Sequence, residues 1–190
     1  DHWLDNDVSE CTWYGIACDA TNTQVVSIAL ELNNLAGEFP DVLAAFPQLT
    51  TVDIYENELS GALPNLDGLS TLEVFVAFEN HFSGPLPALT GLKNLRVFFV
   101  QFNEFTGTIP QLAGLDKLES YSVDGNQLTG AIPDLIGLPK IASFSASRNH
   151  LSGQIPPLAD GLDHLILFNV RENDLTGPLP ALAGMVRLLG

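Results

Sequence analysis

The chain has 190 residues, and its 23 Asp and Glu against 7 Lys and Arg give a formal charge of −16. That balance argues against nucleic acid, whose phosphates need cations, and against anionic membrane surfaces. An apolar content of 46% is too rich for a disordered acidic tail, and no apolar run reaches the ~18 residues of a membrane span. No basic-then-apolar leader opens the chain, so any secretion signal is expected to have been removed or left out.

Cys11 and Cys18 stand seven positions apart near the N-terminus. A close pair at one edge reads as a disulfide rather than a metal site, which asks for four ligands. The loop is short, so the bridge is worth about 2 kcal/mol, and it persists only in an oxidising compartment. An extracellular or secreted location is expected, either free or as the ectodomain of a membrane protein. No Asn-x-Ser/Thr acceptor occurs, so N-glycosylation is not expected.

From residue 25 onward one spacing dominates. Asn33, Asn57, Asn80, Asn103, Asn126, Asn149 and Asn173 recur at steps of 23 or 24 residues. Each is followed four positions later by a glycine and three further on by a proline, from Gly37 and Pro40 to Gly177 and Pro180. Seven phased copies define a solenoid.

The second copy shows how each is built. Val52 and Ile54 alternate with Thr51 and Asp53, a short strand with one buried face. Asn57 ends the strand, with its amide free to bond backbone groups of neighbouring turns. Leu59 and Leu63 point inward around Gly61, and Pro64 stops that segment. Leu66, Leu69 and Leu72 follow at three-residue spacing, which predicts a 3₁₀ or short helical return. One copy cannot bury its apolar face alone, so stacking must make the core.

These residues resemble the leucine-rich-repeat family, in its plant-type subclass, whose pattern is roughly L-x-x-L-x-L-x-x-N-x-L-[ST]-G-x-[IL]-P. Ser60, Ser83, Thr106, Thr129, Ser152 and Thr176 fill the Ser/Thr position, and Ala36 stands there in the first copy. The stretch from Cys11 to Asp19 resembles the N-terminal cap of that subclass. The resemblance implies an α/β repeat solenoid, a right-handed superhelix with a concave parallel sheet, short second strands and a 3₁₀ or irregular convex side. It divides the chain into a cap over 1–24 and seven repeats over 25–190. Secreted polygalacturonase inhibitors and receptor-like kinase ectodomains are the similar architectures.

The sequence also departs from the pattern. Most copies are 23 residues long rather than 24, and core leucines are replaced by Phe75, Phe98, Tyr121, Phe144 and Phe168. The helical part of the cap expected before Trp3 is missing, and no C-terminal cap follows Leu182. A trimmed or partial chain is therefore expected. Met185, Val186, Leu188 and Leu189 would leave an apolar end prone to self-association.

Alternation along the strands assigns four outward columns, set six, four, two and one positions before the Asn. The early copies carry acid, in Glu31, Asp53, Glu56 and Glu79. The middle copies carry Tyr55, Val74, Val76, Phe78, Val97, Phe99 and Phe102, with Gln101 among them. The late copies are small and polar, with Asp124, Arg148 and Arg171. An apolar cluster rimmed by charge has the anatomy of a binding hot spot, with strand propensity and dimer packing as the competing explanations. The acidic end would favour a basic partner.

Residues for chemistry are few. No phosphate loop, H-E-x-x-H or G-x-S-x-G is present. His81 stands one repeat from Glu58 and Glu104, an arrangement that reads as surface salt bridging before metal binding. Asp53, Glu56 and Glu79 lie on an open wet face, unlike the opposed carboxylates of a glycosidase. The expectation is a non-enzyme without cofactor or metal, binding a protein or peptide on its concave face. The alternatives are an inhibitor of a secreted cell-wall-degrading glycosidase, or a carbohydrate binder.

Overall fold

The structure, a computed structural model, describes residues 9–158 and 161–181. Trp3, Leu182 and the apolar residues Met185, Val186, Leu188 and Leu189, on which the expected self-association rests, lie outside the described residues.

Strands form where β-branched and aromatic residues alternate with polar ones. The main sheet contains β1 (Ile16–Cys18), β2 (Val25–Ala29), β4 (Thr51–Asp53), β6 (Val74–Val76), β8 (Val97–Phe99), β10 (Ser120–Ser122), β12 (Ser143–Ser145) and β14 (Leu167–Asn169), in that spatial order. Every pair is parallel except β1–β2, where the cap adds an antiparallel edge. The Cys11–Cys18 disulfide, with Cα atoms 5.5 Å apart, ties that edge strand to the 3₁₀ turn Glu10–Thr12.

A second ladder follows each Asn. It runs through β3 (Ala36–Glu38), β5 (Glu58–Gly61), β7 (His81–Pro85) and β9 (Glu104–Thr106). A Thr108–Thr129 bridge continues it into β11 (Thr129–Gly130), β13 (His150–Gly153) and β15 (Asp174–Leu175). The short second strands implied by the repeat are therefore present, and the whole is a leucine-rich-repeat superhelix.

The return segments are 3₁₀ or irregular, as the resemblance implied, but the helical return read from the spacing of Leu66, Leu69 and Leu72 does not form. Only Leu43–Ala45 forms a 3₁₀ helix among the described returns, whereas Leu66, Leu69 and Leu72 make separate turns joined by bonds such as Leu72 N–H to the Leu69 carbonyl, 3.0 Å. The equivalent of Ala45 one turn later is Gly68, at φ 83°. A left-handed residue there interrupts the run of 3₁₀ dihedrals.

Inside, the five aromatic replacements form a spine. Phe75, Phe98, Tyr121, Phe144 and Phe168 pair in register and stack at centroid spacings of 5.6, 5.5, 5.6 and 5.6 Å. The residue two after each ring is Ala or Val, with Ala77 after Phe75, Ala146 after Phe144, and Val100, Val123 and Val170 after the other three, whereas the larger Ile54 follows the smaller Val52. The volume per turn is thereby held roughly level.

The asparagines do what their amides suggest. Asn103 accepts from Phe82 N–H at 2.9 Å and donates to the Ala77 carbonyl at 3.0 Å and the Val100 carbonyl at 3.2 Å. Asn57, Asn80, Asn126 and Asn149 are buried and repeat the pattern. Every one reaches back to the preceding turn. Buried backbone groups at the bend, which no strand partner serves, are thus satisfied.

Candidate functional site

The concave sheet presents the columns two, four and six positions before each Asn, as alternation requires. The column one before the Asn is different. Leu32, Glu56, Glu79, Phe102, Arg148 and Glu172 all adopt φ between 49° and 58°, and Gly125 holds 59°. These residues form a left-handed bend at the rim rather than a fourth strand column. Glu56, Glu79, Phe102 and Arg148 therefore line the edge of the concave face, not its floor.

On the floor, Tyr55 and Phe78 stack with centroids 4.5 Å apart and planes 9° from parallel. Both rings are half-buried, as is Phe99. Val76 is only 8% exposed and offers little surface. It is a short β-branched side chain in register between Asp53 and Phe99, crowded by longer neighbours. Phe102 is 46% exposed at the rim, and its ring covers Gly125, where an added Cβ would lie 2.6 Å from Phe102 Cδ1.

The acidic end lies beside the stack. Asp53 Oδ1 and Glu31 Oε2 are shielded from water and have no hydrogen-bond partner among the described residues, and neither has Gln101 Oε1. Burial, reinforced by the Glu31 charge, raises the Asp53 carboxyl above its ordinary pKa, against the pull of the Tyr55 amide. The Tyr55 phenol is also raised, by desolvation first and then by Asp53, Glu31 and Glu56.

Beyond the aromatic patch the floor turns polar and internally bonded. Asp124 accepts from Ser145 Oγ at 2.7 Å, from the Ser147 amide, and from Ser122 Oγ at 3.2 Å. Asn169 Nδ2 donates to Ser145 Oγ at 3.0 Å. Ser145 and Ser147 are buried. Reading the sequence by exposed character passes over these serines. The signal was a hydroxyl column one turn from a carboxylate. Arg148 Nε lies 3.1 Å from Glu172 Oε2, and Arg171 Nε lies 3.7 Å from Glu172 Oε1, so the two arginines share one counter-charge.

Thus Asp53, Tyr55, Val76, Phe78, Phe99 and Gln101 come together on one continuous floor, with Glu56, Glu79 and Phe102 on its rim. Asp124 sits one turn further on, and Arg148 and Arg171 are separated from the aromatic patch by that polar network. Grooves of about 810 Å³ along the proline column and about 330 Å³ beside the cap involve none of these residues. His81 Nδ1 lies 3.5 Å from Glu104 Oε1 on the exposed second ladder, and no three metal-ligating side chains cluster among the described residues.

Parallel strands in register, an asparagine ladder and a disulfide-tied cap define the protein as a leucine-rich-repeat solenoid. The chain belongs to the plant-type leucine-rich-repeat proteins and is similar to the ectodomains of plant receptor kinases. It superposes on Pollen Receptor Kinase 3 with a TM-score of 0.74 and 32% identity, covering 89% of this chain and 83% of that one. It also superposes on the Arabidopsis HAESA ectodomain, solved with an N-terminally extended IDA peptide hormone ligand. There the TM-score is 0.84 at 31% identity, over 96% of this chain and 32% of that one. Receptor-like protein kinase 5 of Arabidopsis thaliana is 44% identical over 62 residues, which are 32% of this chain and only 6% of the kinase. No protein-family model matches the chain.

Proposed function

We propose that this chain is a non-catalytic recognition module that works outside the cell and holds an extended peptide or protein segment on its concave floor. The observation that carries the reading is the Tyr55–Phe78 stack, an aromatic pair on the solvent side of the sheet, flanked by the unsatisfied acceptors of Glu31 and Asp53 on one side and of Gln101 on the other. Aromatic pairs in that setting supply large contact area at low entropic cost. The disulfide suits an oxidising compartment, and no helix among the described residues is long and apolar enough to cross a membrane. The peptide hormone bound by the similar HAESA ectodomain favours a peptide as the ligand class.

The acidic floor and rim favour a ligand with basic character. An inhibitor of a secreted glycosidase would use the same floor against a protein surface. The test is retention of extracellular peptides and proteins on the immobilised chain, beside a folded Phe99→Glu variant. Ligands held by wild type and lost from the variant support the reading, and their size separates peptide from enzyme. Identical retention by both baits removes it.

A further inference from the structure

The residues two before the Asn on four successive turns are Glu31, Tyr55, Phe78 and Gln101, and they form a row across the strands. Its two ends are alike in an unusual way. At one end Glu31 Oε2 and Asp53 Oδ1, and at the other Gln101 Oε1, are shielded acceptors with no donor among the described residues. A sheltered acceptor that no protein group satisfies costs free energy, unless a ligand brings the donor. Between them lies the Tyr55–Phe78 stack.

The spacings match one kind of ligand. Adjacent parallel strands lie ~4.8 Å apart, so the middle of the stack is ~7 Å from the Glu31 row and Gln101 is ~14 Å from it. In an extended peptide the side chains on one face recur every two residues, at ~6.6 to 7 Å. A peptide crossing the strands therefore brings residue i to the carboxylates, i+2 to the stack and i+4 to Gln101.

Resting on the concave-face reading above, we propose that the floor reads a five-residue register. Residue i is Arg or Lys, donating to Glu31 and Asp53. Residue i+2 is aromatic or broad and apolar, lying on Tyr55 and Phe78. Residue i+4 carries a donor for Gln101 Oε1. The fit at position i is charge-assisted, and its cation also lies against the Tyr55 ring, which favours the flat Arg guanidinium.

The test is selection of phage-displayed random linear dodecapeptides on the full chain, followed by counter-screening on Phe78→Ser and Tyr55→Ser variants verified as folded by circular dichroism. The expected result is enrichment of the basic, aromatic and donor residues at i, i+2 and i+4. A synthetic peptide with that register should lose at least tenfold in affinity on Glu31→Gln/Asp53→Asn, and again when one residue is inserted between i and i+2. Stack-dependent peptides without the register, or indifferent to the two amide substitutions, overturn this inference and leave concave-face recognition standing. If no selected peptide depends on Phe78 or Tyr55, both fall.

Discussion

Tyr55 and Phe78 lie face to face across two turns of the solenoid, 4.5 Å between centroids, on the side of the sheet that meets solvent. Their counterparts on the other side, Phe75 and Phe98, stack at 5.6 Å inside the core. The two pairs share a geometry and differ in task. A double-mutant cycle on Tyr55→Ala and Phe78→Ala should give a coupling of about 1 kcal/mol in urea denaturation, the usual size for such a pair. Each single variant should fold while weakening ligand capture. A coupling near zero would mean that the stack contributes nothing to the free chain.

The Asn ladder makes a stronger demand. Asn103→Ala removes the side-chain partner of Phe82 N–H and the closer of two amide donors to the Ala77 carbonyl, which keeps Asn80 Nδ2 at 3.4 Å. Leaving that buried amide unmet should cost ~2 kcal/mol, read as a shift of the denaturation midpoint with unchanged slope. The same change at the exposed Asn33 should cost much less.

Tyr121 tests the opposite case. It stands in the aromatic spine with no exposed surface, and its hydroxyl has no partner among the described residues. Burial alone drives its phenol pKa far above the ordinary value. Tyr121→Phe should therefore be neutral or stabilising, by up to ~2 kcal/mol, because it deletes an unsatisfied polar atom and keeps the ring. A clear loss of stability would show that the hydroxyl is hydrogen-bonded in solution.

Asp53 sets a pH dependence with a definite sign. Its folded-state pKa is raised by burial and then by Glu31, so the folded chain binds more protons than the unfolded one between the ordinary value of 3.8 and the raised value. Its contribution to stability falls as pH rises through that window. Asp53→Asn should thus be more stable than wild type at neutral pH, with that difference shrinking as the pH falls through the window and levelling off below 3.8. Thermal melts of both proteins across the acid range check it. A constant difference at all pH values would rule out the linkage.

Gly125 offers a way to move Phe102 without replacing it. Its φ of 59° is one that Glu56, Phe102 and Arg148 adopt on other turns, so Gly125→Ala should fold, at a cost of about 1–2 kcal/mol for a left-handed alanine. The new methyl would occupy the place of the Phe102 ring edge, forcing that ring aside. Binding through the rim should weaken several-fold, while Gly125→Ala on a Phe102→Ala background should have no further effect.

The fold was legible because one period of 23 or 24 residues carries strand, amide and turn signals in phase, and stacking is their common solution. The disulfide was equally readable from Cys11 and Cys18. The left-handed rim was not. Glu56, Phe102 and Arg148 are residues that seldom hold positive φ, and adding the position just before each Asn to the alternating columns placed them on the floor. Val76 misled for a related reason, since facing the concave side does not expose a small side chain between larger ones. The Asp124 network depends on side-chain directions across three turns, which no single strand encodes.

The backward reach of each asparagine has a consequence for how the chain is made. Asn57 serves Leu30 and Leu35, Asn80 serves Ile54 and Leu59, and Asn173 serves Ala146 and Leu151, so the serving residue always lies 21 to 27 positions later in sequence. On the ribosome, a turn that has already emerged stays unfinished until most of its successor follows it out. Maturation then trails synthesis by one full repeat, and a chain cut short anywhere always ends in a turn awaiting its bracket.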